Sequence, residues 1–81
     1  MVLAEKKQAV IDAVALRLPG VEIILQADGI CGSKHIAGGL GYAIVPTDDH
    51  QFEDVGTEQL ANYVALVIST ELNEIPGTWL T

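Results

Sequence analysis

The sequence lacks a pair of cysteines, a long apolar run and a signal-type leader. Cys31 is the only cysteine, which excludes a disulfide within the chain and fits a reducing compartment. The longest uncharged runs, 35–47 and 59–70, are shorter than the roughly 20 apolar residues that span a bilayer. Charges occupy the first turns where a signal peptide would be apolar. These features predict a soluble, cytoplasmic protein.

Basic residues are also missing from the second half. No lysine or arginine follows Lys34, and the first 34 residues are neutral overall, so the net charge of −7 belongs to the rest. We therefore expect neither nucleic acid nor an anionic membrane as a direct partner. The acidic segment after Pro46 is predicted to be either a solvated loop or a docking surface for a basic protein. Its residues are Asp48, Asp49, Glu53 and Asp54.

The length of 81 residues predicts one small domain, 1–81. A chain this short buries only about 60% of its unfolded surface, so its core is marginal without further support. With a disulfide excluded, association with a second copy is the simplest support. We expect a homodimer.

The apolar patterning predicts two helices, 3–18 and 57–75, around two strands, 21–27 and 36–45. Between the strands, "DGICGSK" is typical of a turn, either a tight hairpin at Asp28-Gly29 or a wider loop. The prediction is an α+β fold in the order α-β-β-α, with one or two helices packed on an antiparallel hairpin. Because a lone hairpin is marginal, a homodimer that completes the sheet would strengthen it.

The second predicted strand has one face of very small residues. Side chains alternate along a strand, and this parity is nearly flat, which lets a helix, a second chain or a flat ligand approach closely. A bulged, flexible strand would also use glycine. The small residues are Ala37, Gly39, Gly41 and Ala43.

The second predicted helix has no charge between Glu58 and Glu71. A solvent-facing helix normally carries charges, so we expect a second copy to cover its outer side. Trp79, in the tail, is predicted either to fold over a core edge or to anchor a partner. The predicted interface residues are Ala37, Gly39, Gly41, Ala43, Asn62, Leu66, Ser69 and Trp79.

Few residues here indicate chemistry. Cys31, His35 and His50 are the candidate metal ligands, but their spacing matches neither zinc nor EF-hand patterns. Glu71 projects near the middle of an apolar helix face, where burial would raise a carboxyl pKa. No phosphate-binding glycine motif is present, and we expect no cofactor.

The leading hypothesis is a small, acidic, non-catalytic interaction or assembly module that acts as a homo-oligomer. A metal- or ligand-binding protein is the first alternative, using the small strand face or the Cys31, His35 and His50 group. The second is an enzyme with a composite site at a dimer interface, built around Glu71, His35 or His50.

Overall fold

The computed structural model describes residues 3–36 and 38–72, in which helices pack on one face of a three-stranded antiparallel sheet. This confirms the predicted α+β class. The order is α-β-β-β-α-α, with one strand and one short helix more than expected. The elements are α1 (Leu3–Arg17), β1 (Glu22–Gln26), β2 (Gly29–Ile36), β3 (Gly39–Pro46), α2 (Asp49–Asp54) and α3 (Thr57–Glu71).

The additional strand, β2, comes from the segment predicted as a turn. A two-residue connection at 27–28 joins β1 to β2, since Gln26 pairs with Gly29. The segment therefore forms a tight two-residue turn rather than a wider loop, but the turn lies one residue earlier than the predicted Asp28-Gly29, because Gly29 already pairs in β2. Gly32 lies in β2 because the packing of α3 leaves no room for a side chain, not because the chain turns there. A Cβ on Gly32 would be 2.6 Å from Cγ2 of Ile68.

The predicted second strand divides between two strands of the sheet. Ile36 ends β2 and pairs with Gly39 at the start of β3, and Gly38 takes a positive φ of 89° between them. The sheet order is β1-β2-β3, so the chain supplies its own third strand. A homodimer is therefore not needed to complete a two-stranded hairpin.

The two long helices begin where the sequence predicts. Helix α1 buries the predicted stripe of Val10, Ile11 and Val14, and α3 begins after Gly56 as N-cap. The last predicted turn of α3, 73–75, lies outside the described residues. Packing of α1 along α3 forms the helical layer.

Helix α2 was not predicted. The Asp48 side chain accepts a hydrogen bond from the backbone N–H of His50 at 2.8 Å, which satisfies a free donor at the helix N-terminus. Phe52, only 1% exposed, anchors the helix in the core. Because one aromatic residue anchors so short a helix, apolar periodicity could not reveal it.

The uneven charge along the sequence is partly balanced within the fold. Lys7 of α1 pairs with Asp49 of α2 at 3.1 Å, and Arg17 pairs with Glu58 of α3. Lys6 also donates to the backbone carbonyl of Glu53, at 3.5 Å. Basic residues of the first helix thus meet acidic segments from the second half of the chain.

Candidate interaction surface

The strand register separates the sheet into an inner face, toward the helices, and an outer face, away from them. The inner rows are Ile30 beside Val45 and Gly32 beside Ala43. The outer rows, read across the strands, are Gln26-Gly29-Pro46, Ile24-Cys31-Ile44, Glu22-Ser33-Tyr42 and His35-Leu40.

The inner face is built for close approach by α3. A Cβ on Gly41 would lie 3.0 Å from Cδ2 of Leu72, and Ala43 is 2% exposed. Helix α3 of the same chain therefore packs against the small strand face, as one of the sequence hypotheses had it. Ala43 is buried within its own chain and is not available to a second copy.

Gly39 belongs to the predicted small face but has a different role. A Cβ there would meet nothing within 4 Å, and its φ is +154°, a conformation that L side chains rarely adopt. Gly39 is thus needed for the backbone conformation at the start of β3 and not for a close contact. Ala37, its neighbour in the predicted parity, lies outside the described residues.

The outer face carries large apolar side chains that no described residue outside the sheet covers. Ile24 is 41% exposed, Ile44 is 42% exposed and Tyr42 is 64% exposed, while Leu40 is also exposed. Cys31 lies between Ile24 and Ile44 and is 2% exposed. A contiguous exposed apolar area of this kind is typical of an interaction surface.

A shallow concavity of about 350 Å³ lies on this outer face. Ile24, Leu40 and Cys31 supply apolar wall, and polar groups stand beside them. The polar lining includes Glu22, Gln26, Ser33, Lys34, His35 and Tyr42. The arrangement can accept an apolar or aromatic group that also carries a hydrogen-bond donor.

The outer side of α3 is only partly available to a partner. Asn62 accepts a hydrogen bond from Nε of Arg17 at 3.0 Å, and Ser69 is fully buried, donating to the carbonyl of Leu66 at 3.0 Å. Leu66 remains exposed beside Tyr63. Burial of Ser69 within the chain removes it from the predicted interface.

Two carboxylates of the acidic segment, those of Asp48 and Asp49, make contacts within the chain. Asp48 caps α2, Asp49 pairs with Lys7, and the Glu53 backbone accepts from Lys6. Asp54 is exposed. These contacts attach α2 to α1, while all four acidic residues remain exposed.

The candidate metal ligands are not brought together. Cys31 and His35 are two rows apart on the outer face, and His50 is in α2, which packs against α1. Among residues 3–36 and 38–72, no three His, Cys, Asp or Glu side chains are grouped to hold a metal ion. Glu71, the candidate acid or base, is exposed.

The residues that sequence reasoning missed are those of the outer face, above all Ile24, Tyr42 and Ile44. The alternation in 36–45 separates large from small residues, but it does not say which set faces the helices. Trp79, the remaining predicted interface residue, lies outside the described residues.

Comparisons with known protein families, with curated proteins and with solved structures gave no match. In the part of the chain that the structure describes, no helix has both the length and the apolarity needed to cross a membrane.

Proposed function

We propose that this protein is a small, non-catalytic interaction module that acts as a homodimer. The observation that supports this proposal is the uncovered outer face, where Ile24, Leu40, Tyr42 and Ile44 are all more than 40% exposed. Antiparallel sheets that face water usually carry polar residues on that side. Covering this face removes apolar area from water, which favours association.

The competing proposals have less support. The metal hypothesis requires Cys31, His35 and His50 to lie close together, but they lie in separate parts of the described structure. The ligand hypothesis placed a ligand on the small strand face, where α3 already packs. For an enzyme with a composite site, the exposed Glu71 offers no enclosed carboxylate.

The expected dimer is weak. Three strands spaced about 4.8 Å apart and up to eight residues long give a face of roughly 14 by 27 Å. Two such faces bury about 800 Å² in projection, below the roughly 1,200–2,000 Å² of stable complexes, although side-chain relief adds to it. We therefore expect dissociation in the micromolar range.

Sedimentation equilibrium of the full chain from about 1 μM to about 1 mM tests the proposal, a span chosen for dissociation constants of weak complexes. The apparent mass should rise from the monomer value of 8.6 kDa to twice that value. A constant monomer mass across the whole range would refute the homodimer.

A further inference from the structure

We infer that two copies stack outer face on outer face, with a two-fold axis that runs parallel to β2 and passes between the two β2 strands. This inference rests on the proposed homodimer and adds the surface and geometry of the contact. The outer face complements itself best when β1 of one copy lies over β3 of the other.

The distribution of charge permits a second acidic copy at this face. The acidic residues of α2 and α3 are in the helical layer, on the other side of the sheet. Among the described strand residues of the outer face, Glu22 is the one carboxylate. Stacking outer faces therefore places the two acidic helical layers farthest apart, which minimises their repulsion.

The rows of the outer face match under this symmetry. Because β2 is the central strand, an axis parallel to it exchanges β1 with β3 while each row stays at its own level. Ile24 then lies opposite Ile44 of the second copy. Glu22 lies opposite Tyr42 of the second copy, where the carboxylate can accept a hydrogen bond from the phenol.

An axis across the strands gives a poorer match. It reverses the order of the rows, so with the Cys31 row at the centre the Glu22-Ser33-Tyr42 row would meet the row that contains Gln26 and Pro46. That arrangement leaves the Glu22 carboxylate without an opposing phenol. Buried charges without partners are costly.

The concavity on the outer face has an occupant in this geometry. Tyr42 is 64% exposed, so its ring projects from the sheet toward the second copy. Glu22, Ser33 and His35 line the facing concavity, and an aromatic ring with one hydroxyl fits that mixed lining. Aromatic residues seated in a partner's pocket commonly dominate interface energy.

Two glutamate variants test the surface. Ile44→Glu places a carboxylate in the middle of the proposed interface and should raise the dimer dissociation constant at least tenfold. Leu66→Glu, on α3 at a similar exposure of 48% against 42%, should leave the constant within about twofold, because surface substitutions away from a contact change little. Far-UV circular dichroism checks that both variants fold, and Tyr42→Ala replaces Ile44→Glu if the latter unfolds.

Single-cysteine crosslinking tests the axis. In a Cys31→Ser background, His35→Cys introduces an exposed thiol on β2 close to the axis, while Leu66→Cys introduces one in the outermost helical layer. With sheets about 10 Å apart, a short bifunctional thiol reagent should give a covalent dimer from His35→Cys and little from Leu66→Cys.

The outcomes separate the inference from the proposed function. If the chain dimerises but Ile44→Glu also dimerises normally, another surface is used and the inference fails while the homodimer stands. If Ile44→Glu is monomeric but His35→Cys gives no crosslink, the axis is wrong. If the parent chain is monomeric at every concentration, both the homodimer and its geometry are overturned.

Discussion

The two faces of the sheet differ most in side-chain size where α3 comes close. There the inner face uses Gly32, Gly41 and Ala43, whereas the exposed outer face uses Ile24, Tyr42 and Ile44. The neighbouring inner row carries the larger, buried Ile30 and Val45. Small residues on the inner face follow from the closeness of α3, whose Ile68 lies over Gly32. Residue size here reports how near the next layer comes, not whether water is excluded.

The two faces also stabilise different species. The inner face contributes to the stability of the single chain, because its residues pack against helices already present. The outer face can stabilise only an assembly, since no described residue outside the sheet covers it. Matched substitutions on the two faces should therefore separate folding from association.

The largest expected effect comes from isoleucine-to-alanine variants on opposite faces. Ile30→Ala, at a fully buried position of the inner face, should lower the free energy of unfolding by about 2–5 kcal/mol. That is a large part of the roughly 4–12 kcal/mol expected for a domain of this size. Ile24→Ala, on the outer face, should cost less than about 1 kcal/mol, because the side chain is already partly exposed.

Urea melts at a concentration where the chain is monomeric measure both variants. Ile24→Ala should instead weaken the dimer in sedimentation experiments. Equal losses of unfolding free energy in the two variants would contradict the assignment of the faces.

The next effect compares two glycines of the inner face. Gly32→Ala should destabilise the fold by about 1–3 kcal/mol, because its Cβ meets Cγ2 of Ile68, a branch held stiffly near the helix backbone. Gly41→Ala should cost clearly less, since its nearest neighbours are the terminal methyls of Leu72 and Ile36, which can rotate away.

A double variant sharpens this test. Leucine has no methyl at the Cγ2 position of isoleucine, so Gly32→Ala combined with Ile68→Leu should lose less than the sum of the single variants. Additive losses in a double-mutant cycle of chemical melts would show that the contact between Gly32 and Ile68 is not the cause.

A smaller effect is expected in the helical layer at the N-cap of α2. Asp48→Ala removes the side-chain acceptor of the His50 N–H and should cost about 1 kcal/mol. Asp54→Ala, also acidic and exposed, should change stability by less than about 0.5 kcal/mol. Thermal melts compare them, and a shift in the dimer constant of Asp48→Ala would mean that the acidic segment takes part in association.

The smallest effect is expected from the pair of Lys7 and Asp49. Lys7→Met keeps the apolar stem but removes the charge, which lies 3.1 Å from Asp49 and 5.7 Å from the centre of the Phe52 ring. The loss should be about 0.2–1 kcal/mol because Asp49 is well exposed. It should shrink at high salt. If Lys7→Met costs the same unfolding free energy in an Asp49→Asn background, the effect comes from the contact of Lys7 with Phe52 rather than from the ion pair.

Parts of this fold were predictable because they depend on local patterns. The apolar stripe of α1 and the start of α3 at Thr57 follow from helical periodicity and capping. Strand β2 was missed because Gly29, Gly32 and Ser33 have the composition of a turn, while their actual positions are set by pairing on both sides. Gly32 is also held by the closeness of Ile68 of α3.

The candidate surface was less predictable than the fold. Two residues assigned to an interface, Ala43 and Ser69, are buried within the chain. The sequence shows two parities with different side-chain sizes, but choosing the one that faces the helices requires the packing of α3 on the sheet. From the sequence alone, the small residues would be assigned to an exposed interface and the large residues to the core.

By itself the sequence determined the α+β class, the starts of the two long helices and the separation of basic from acidic residues along the chain. Those properties depend on neighbours within a few turns of helix or strand. Only the tertiary structure decided that the acidic segment meets Lys7 and that Ile24, Tyr42 and Ile44 face outward. Each of these facts joins segments far apart in sequence, because the closeness of one layer to another depends on all the side chains between them.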